Sequence, residues 1–281
     1  MVKIVIDSAA DIAKAEADAL GVELVPMRVR FGSEEFSDGV DLTHEGFFER
    51  LIESDELPQT SQISEFCWEE KFGELLETAD ELVVITISSK LSGTYDCAAT
   101  AASKFAGRVY AVDSLNACIG ERVLIQYAVR LAASGLSARE IAAKLDGKKG
   151  KIQLLALLDT LHYLKLGGRI SAAAAFAGGI LSIKPVVSIM DGEVKLVGKA
   201  MGSKRGNNLL VQLVSKCGGI DFGMPFALGY SGLDATILNK YIEDSAPLWK
   251  GKTDALPVYP IGSTIGTHVG PGAIAVAFFS E

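Results

Sequence analysis

Short apolar runs alternate with longer amphipathic segments through the first half of the chain. The run at 2–6 is rich in β-branched residues, and an alanine-rich window at 11–20 follows it, which is the strand, turn and helix order that opens an α/β unit. The order returns further along and predicts a parallel sheet covered by helices. The predicted strands are 2–6, 22–29, 81–87 and 108–112, and the predicted helices are 11–20, 42–54, 64–78, 92–105, 120–134 and 137–145. The last of these helices is predicted to start at an N-cap serine, Ser137, with Glu140 at the capping-box position.

The pattern changes after about residue 150. Two strand-like runs flank Asp191-Gly192, a dipeptide typical of a β-hairpin turn. The predicted elements here are strands at 152–158, 183–189, 193–197, 226–230 and 273–279 and helices at 207–215 and 235–245. We therefore expect an α/β protein of two domains. Residues 1–150 form an N-terminal three-layer α/β/α domain with a parallel sheet, and residues 151–281 form a C-terminal two-layer α+β domain with a mixed sheet.

Composition and charge exclude several classes of protein. The 281 residues are 49% hydrophobic and 22% charged, which is too apolar for a disordered chain. The net charge of −8 disfavours nucleic-acid binding over the whole surface. However, the segment from Lys148 to Lys216 holds eleven basic and three acidic residues. This segment is either an ordinary solvated surface or a docking face for an acidic partner.

The sequence contains no recognisable targeting or membrane-spanning segment, and we expect a cytoplasmic protein. Its four cysteines are scattered without a C-x-x-C pair. This spacing favours reduced thiols over disulfides or zinc ligands, so we predict no metal site.

Hydroxyl and carboxylate side chains cluster just after predicted strands, where ligands bind in parallel α/β sheets. One interpretation is helix capping, and the other is a neutral site for a carboxylate or phosphate. The four groups are Asp7-Ser8, the stretch from Thr60 to Ser64, the stretch from Ser88 to Thr94, and Asp113-Ser114.

Motifs for nucleotide binding and for common catalytic machinery are missing. There is no G-x-x-x-x-G-K-[ST] and no G-x-G-x-x-G after a strand. Ser92, an aspartate and His268 have the chain order of a serine esterase or thioesterase, but no G-x-S-x-G elbow surrounds Ser92. His268 falls in a predicted glycine-punctuated loop at 261–272, where it is either functional or merely exposed.

The stretch 171–181 is rich in alanine and glycine. A helix of such small side chains either packs tightly against a neighbour or leaves room for a ligand.

The chain resembles the DegV family, the bacterial fatty-acid-binding proteins that serve as the lipid-presenting subunit of fatty acid kinase. The resemblance runs nearly end to end. Its motifs are Ile6-Asp7-Ser8 with Asp11, Thr60-Ser61-Gln62 with Ser64, the stretch from Ile87 to Tyr95, Val112-Asp113-Ser114, Asp159-Thr160-Leu161 with Tyr163-Leu164, Gly167-Gly168-Arg169-Ile170, Ile183-Lys184-Pro185, and Gly266-Thr267-His268 with Gly270-Pro271-Gly272.

The resemblance implies a non-catalytic protein, without a cofactor, that binds a long-chain fatty acid between its two domains. It presents the carboxylate to a separate kinase that makes acyl phosphate, as part of phospholipid metabolism. The residues that the family pattern assigns are Thr60, Ser61, Ser92, Gly93 and His268 for the carboxylate, Ala173, Phe176 and Ile180 for the acyl chain, and Arg169 and Arg205 for kinase docking.

The chain departs from the family pattern at a few positions. Ala9 and Ile63 stand where the family usually has threonine and proline, and the family's basic position after the hairpin aligns with either Met201 or Arg205. The residues implied for the carboxylate are all present.

Overall fold

A computed structural model describes residues 1–54, 56–105, 107–171 and 183–281. The strands are β1 (Val2–Asp7), β2 (Glu23–Val25), β3 (Arg28–Phe31), β4 (Glu34–Ser37), β5 (Gln59–Ser61), β6 (Glu81–Thr86), β7 (Val109–Asp113), β8 (Ile152–Leu157), β9 (Ile183–Met190), β10 (Glu193–Met201), β11 (Phe226–Tyr230), β12 (Val258–Pro260) and β13 (Ile274–Phe279). The helices are α1 (Lys14–Leu20), α2 (His44–Glu53), α3 (Glu65–Leu75), α4 (Thr94–Ser103), α5 (Cys118–Ala133), α6 (Ala138–Lys148), α7 (His162–Leu166), α8 (Ser203–Lys216), α9 (Thr236–Asp244), α10 (Ala246–Trp249) and α11 (Ser263–Val269).

The strands form three sheets within the described residues. The parallel sheet has the order β2-β1-β6-β7, and the mixed sheet has the order β10-β9-β8-β13-β11-β12. A small antiparallel sheet, β4-β3-β5, was not predicted from the sequence. The predicted α/β fold class, with a parallel sheet and a separate mixed sheet, is confirmed.

The two larger sheets use separate parts of the chain. All strands of the parallel sheet lie between residues 2 and 113, and those of the mixed sheet lie between 152 and 279. The predicted boundary between residues 150 and 151 falls in a short 3₁₀ helix between α6 and β8. The division into two domains at this position stays a prediction, since one hydrophobic core includes side chains from both parts.

Helix α5 is the element that both sheets share. It contacts β1 and β6 of the parallel sheet and β8, β11 and β13 of the mixed sheet. Every residue from Cys118 to Ile125 is buried, including Glu121 and Arg122. A helix buried on all sides belongs in the interior of a protein, so α5 joins the two parts of the structure.

The mixed sheet separates two hydrophobic environments because side chains alternate along each strand. On β8, Leu154 and Ala156 face the shared core, whereas Leu155 and Leu157 face a second core with α8 and α9. Ala156 stands directly opposite Ala275 of β13, so these small side chains leave space on the side of the shared core.

The segment predicted as one strand at 22–29 is two strands in different sheets. Pro26 separates β2, which extends the parallel sheet, from β3, which starts the small sheet. Proline supplies no backbone donor and interrupts a sheet ladder. Gly32, with a φ of 56°, then lies in the turn between β3 and β4.

The predicted loop at 261–272 is wrong over its central part, where residues Ser263–Val269 form α11. Asp38, far away in sequence, accepts hydrogen bonds from Ser263 N (2.9 Å), Ser263 Oγ (2.5 Å) and Thr264 N (3.2 Å). A carboxylate at this end compensates the unpaired N–H groups of the first helical turn. The glycine-rich sequence carries no sign of this distant cap.

Two local predictions are confirmed. Ser137 and Glu140 form a capping box at the start of α6. Asp191 and Gly192, with φ values of 51° and 82°, form the turn between β9 and β10, as the dipeptide predicts.

Of the helices that the structure describes, none combines the length and the apolar composition that crossing a membrane requires.

Candidate functional site

A cavity of about 230 Å³ lies between the mixed sheet, α11 and the loops that follow β5 and β6. Its wall combines a group of polar residues with a larger group of apolar residues, and Ser188 and Thr264 are two further polar residues of the lining. The polar part contains Thr60, Ser61, Gln62, Ser92, Gly93, Arg169 and His268, and the apolar part includes Met27, Ile87, Leu91, Leu154, Ala156, Leu158, Leu164, Val187, Ile261, Ile265, Val269, Ala273 and Ala275.

The structure therefore brings together all five residues that the family resemblance implied for a carboxylate. Thr60 comes from β5 of the small sheet and His268 comes from α11, and Thr60 Oγ1 lies 3.1 Å from His268 Nε2. Ser92 and Gly93 come from the loop that follows β6 and leads into α4. Three separate elements meet at this end of the cavity.

The Ser92 hydroxyl is held by the start of α4. Ser92 Oγ lies 2.9 Å from Thr94 Oγ1 and accepts a hydrogen bond from Thr94 N (3.3 Å). The same Thr94 hydroxyl accepts from Ile63 N at 3.4 Å, which links this loop to the segment after Thr60. The N-terminus of α4, with its unpaired N–H groups, thus adjoins the polar wall.

Two glycines make room for the polar side chains. A Cβ atom on Gly93 would lie 2.2 Å from Gln62 Oε1, and one on Gly167 would lie 2.2 Å from His268 Nδ1. Larger residues at these positions would displace Gln62 or His268. Close approach explains why glycine stands at these positions of the motifs.

His268 is held as a neutral imidazole. Burial, and to a smaller extent the charge of Arg169, lowers the pKa of His268 to about 4. Nε2 faces Thr60, and Nδ1 is buried with no hydrogen-bond partner among the described residues.

Arg169 also faces this end of the cavity. Its Nε donates to Leu91 O (3.2 Å) and its Nη1 donates to Gly167 O (2.6 Å). The side chain is half-buried, and burial lowers the pKa of Arg169 from its ordinary value. The two carbonyls fix the guanidinium beside the hydroxyls, so it supplies the cationic charge of the polar wall.

A second, more open cleft of about 700 Å³ meets the first cavity at this wall. Thr60, Arg169 and His268 line both spaces. The outer cleft is otherwise bounded by α7 and by the segment between α2 and β5, with Leu57, Pro58, Tyr163 and Leu166 among its residues. A group bound at the polar wall would therefore be accessible from outside.

The apolar wall was not predicted from the sequence. Leu154, Ala156, Ala273 and Ala275 come from the mixed sheet, and the alternation of side chains in β8 and β13 was the available signal. The residues implied for the acyl chain, Ala173, Phe176 and Ile180, lie outside the described residues.

Other hydroxyl and carboxylate groups after strands are structural. Asp7 accepts from Ala9 N and Ile87 N, both at 2.8 Å, and Ser8 Oγ accepts from Met27 N at 3.0 Å. Burial raises the pKa of Asp7 to about 7 despite those backbone donors. Asp113 likewise accepts from Ser89 N and Leu115 N. Asp7 caps a short 3₁₀ helix at 8–10, as one interpretation predicted, whereas Ser8 and Asp113 bind backbone N–H groups outside helix starts. None of these residues lines the cavity.

The geometry does not favour a serine hydrolase. A catalytic serine requires a histidine within hydrogen-bond reach and a third group that orients the histidine. Here Ser92 Oγ bonds Thr94, His268 Nε2 faces Thr60, and no described carboxylate bonds Nδ1.

The described residues contain no cluster of side chains suited to a metal ion, and all four cysteines are free thiols. Cys118 is buried in the cavity wall, whereas Cys67 is exposed. Of the residues considered for docking, Arg205 lies exposed in the first turn of α8, and Met201 is exposed at the end of β10.

Comparison with known proteins identifies the family. The model of the DegV family of uncharacterised proteins matches residues 1–281. The chain belongs to the DegV family. It is 31% identical to a DegV domain-containing protein of Caldanaerobacter subterraneus, over 100% of this chain and 99% of that protein. It is 32% identical to another from Clostridium perfringens, over 98% of this chain and 96% of that protein.

Solved structures of DegV proteins share the fold. A fatty-acid-binding DegV family protein of Thermus thermophilus superposes with a TM-score of 0.88 at 30% identity, covering 100% of this chain and 99% of that one. A stearic-acid-binding protein of Eubacterium ventriosum gives a TM-score of 0.87 at 29% identity, covering 99% of this chain and 97% of that one. DegV, a fatty acid binding protein from Bacillus subtilis, gives 0.83 at 26% identity, covering 98% of each chain.

The depressed pKa of His268 predicts a pH dependence of stability. The pKa of His268 is about 4 in the folded protein, against an ordinary 6.5, so the unfolded chain binds the proton first as the pH falls. The contribution of neutral His268 to stability is therefore complete above about pH 6.5 and is lost towards pH 4. We expect the free energy of unfolding of the wild type, relative to His268→Gln, to rise by on the order of 2 kcal/mol across that window. Urea denaturation at a series of pH values measures this difference.

A substitution that removes no titratable group provides the control for this experiment. Ser103→Ala, at an exposed site, should give a pH profile parallel to the wild type. If His268→Gln also runs parallel to the wild type, His268 is not held neutral by burial.

Proposed function

We propose that this DegV family protein binds a long-chain fatty acid in the cavity, between residues 1–150 and residues 151–281. The observation that carries the proposal is the cavity itself, whose apolar wall ends at a cluster of hydroxyls, a neutral histidine and an arginine. The fatty-acid-binding proteins of Thermus thermophilus and Bacillus subtilis, which share the fold over nearly all of this chain, support it.

The apolar wall supplies most of the affinity. Burial of each CH₂ group stabilises a complex by about 0.8 kcal/mol, so a long chain gives on the order of 10 kcal/mol before the costs of association. This term grows with the length of the chain because it scales with buried area, but it distinguishes saturated from unsaturated chains of equal length only weakly.

The polar wall fixes the orientation of the ligand. The hydroxyls of Thr60 and Ser92 are uncharged donors for a carboxylate, and Arg169 supplies a positive charge beside them. Neutral His268 can donate to the carboxylate from Nε2 in the tautomer that carries its proton there. Hydrogen bonds to a charged acceptor in a partly buried site are stronger than those between neutral groups.

We propose further that the bound carboxylate is presented through the outer cleft to a separate fatty acid kinase. The carboxylate oxygen would attack the γ-phosphate of ATP held by that kinase, giving an acyl phosphate and ADP, and the DegV protein would act without catalysing the step. The contact of the outer cleft with Thr60, Arg169 and His268 supports this route. Use of ATP would place both proteins in the cytoplasm, where the acyl phosphate would enter phospholipid synthesis.

The basic segment suits the same partner. Lys204 and Arg205 are exposed in the first turn of α8, whereas Lys184 and Lys195 are paired with Asp159 and Glu193. A positive surface steers an acidic partner and raises the association rate at low salt.

Protein purified from a bacterial host should carry a long-chain fatty acid at close to one molecule per chain, because the apolar wall retains it. Mass spectrometry of an organic extract measures the lipid. A cavity-filling control, Ala275→Phe, should reduce occupancy, since Ala275 faces Ala156 in the cavity wall. Wild-type protein that releases no lipid and binds no added fatty acid would contradict the proposed function.

Replacing the hydroxyl donors should weaken binding without unfolding the chain. We expect Ser92→Ala and Thr60→Val each to lower fatty-acid affinity by roughly ten- to a hundredfold, the effect of losing a hydrogen bond to a charged group. Equilibrium binding of a fluorescent fatty acid measures the change, with Ser103→Ala on the exposed face of α4 as the control. Unchanged affinity in both site variants would place the head group elsewhere.

Arg169 faces both the cavity and the outer cleft, so its replacement should affect binding and transfer. We expect Arg169→Gln to lower fatty-acid affinity by about tenfold and to reduce acyl phosphate formation with an added kinase. Arg205→Gln, at an exposed site, should leave lipid affinity unchanged and reduce only the transfer rate in a salt-dependent way. Wild-type affinity in Arg169→Gln with slower transfer would restrict Arg169 to docking.

A further inference from the structure

His44, the first residue of α2, bridges two distant backbone segments. Its Nδ1 lies 2.7 Å from the carbonyl oxygen of Ile261, and its Nε2 lies 2.7 Å from the carbonyl oxygen of Gly232. A carbonyl oxygen only accepts hydrogen bonds, so each ring nitrogen must donate. An imidazole that donates from both nitrogens carries two protons and a positive charge.

We propose that His44, in this doubly protonated form, is a positioning residue that holds α11 and thereby places His268 at the polar wall. The inference rests on the proposed function in one respect, since the group that it places is the one expected to meet a fatty-acid carboxylate. His44 does not line the cavity and acts only through the backbone of its partners.

The bond to Ile261 acts at the N-terminal side of α11. Ile261 lines the cavity and precedes Gly262, the N-cap of the helix. On the amide side of this junction, Asp11 accepts from Gly262 N at 2.8 Å, and Asp38 binds Ser263 and Thr264. His44 binds the carbonyl group of Ile261, so hydrogen bonds hold both the carbonyl group before the helix and the amide groups at its start.

The bond to Gly232 acts at the other end of α11. The neighbouring Ser231 donates from its Oγ to Gly270 O (2.6 Å) and accepts from Ala273 N (2.8 Å). Gly270 is the C-cap residue that follows α11. Through Ile261 and Gly232, one imidazole therefore couples the segments at both ends of the helix that carries His268.

Helix α2 is packed closely enough to transmit this constraint. The His44 ring contacts Phe48 and Tyr230 edge to face, with centroids 4.9 and 5.3 Å away. A Cβ on Gly266 of α11 would lie 2.5 Å from the Phe47 ring. A displacement of α2 would therefore change the packing of α11 directly.

Several titratable groups belong to the elements that meet at His44. Glu45 lies on α2, Tyr230 on β11, Asp234 in the loop with Gly232, and Asp11 and Asp38 on the amide side of Gly262. Burial raises the pKa of Asp11 to about 7, so Asp11 itself titrates near neutrality. Asp11 is present in the wild type and in every variant, so a comparison at one pH cancels its response.

The test compares hydrogen exchange of the peptide that covers α11 in wild type, His44→Gln and His44→Ala, together with dissociation of a fluorescent fatty acid. Glutamine keeps one donor, and alanine keeps none. Glu49→Ala, on the exposed face of α2, is the matched control. Each variant is compared with wild type at the same pH, which cancels the intrinsic pH dependence of exchange.

We expect α11 amides to exchange roughly ten- to a hundredfold faster in His44→Ala than in wild type in mildly acidic buffer, with His44→Gln between them. Fatty acid should dissociate faster in the same order. A pH response of α11 that persists in His44→Gln belongs to Asp11.

Equal exchange in wild type and both variants, or equal exchange in wild type and His44→Gln, would overturn the inference. This outcome differs from failure of the proposed function, in which wild type binds no fatty acid while the exchange difference in α11 is still present.

Discussion

The polar wall depends on the placement of α11, a seven-residue helix that is too short to be stable alone. Asp38 caps its N-terminus, and Phe47 and Phe48 of α2 pack against Gly266. Both contacts come from the segment that contains the small antiparallel sheet. Without them, Thr60 and His268, which are 208 positions apart, would not meet.

The second constraint is the burial of α5 between the two larger sheets. Glu121 on this helix has no exposed surface, and neither carboxyl oxygen has a hydrogen-bond partner among the described residues. Burial, followed by the nearby Asp7 and Asp11, raises the pKa of Glu121 well above its usual range. The carboxyl is therefore neutral, which is how an interior helix can hold an acidic side chain without an ion-pair partner.

The same packing explains why an apolar cavity and a more open cleft meet at the polar wall. The mixed sheet contributes small side chains, Ala156 and Ala275, where the apolar cavity needs space. The outer cleft is instead bounded by α7 and by the segment between α2 and β5. Between them, Thr60, Arg169 and His268 form a polar boundary that lines both spaces.

Local sequence determined much of the fold. Apolar runs predicted β1, β6 and β8. Ser137 and Glu140 predicted the start of α6, and Asp191-Gly192 predicted the turn of the β9–β10 hairpin. These features depend on interactions between residues close in the chain. Family motifs, not composition, indicated Thr60, Ser92 and His268, and the structure brings them together.

Tertiary structure alone decided the rest. A helix at 263–269 requires a cap from Asp38, the change of sheet at Pro26 requires a second sheet to receive β3, and the apolar wall requires β8 and β13 to lie side by side. The protonation of His268 and Glu121 follows from burial, which is a property of neighbours distant in sequence. Periodicity and motifs report on contacts within one element, whereas caps, cavities and desolvation arise only where several elements meet.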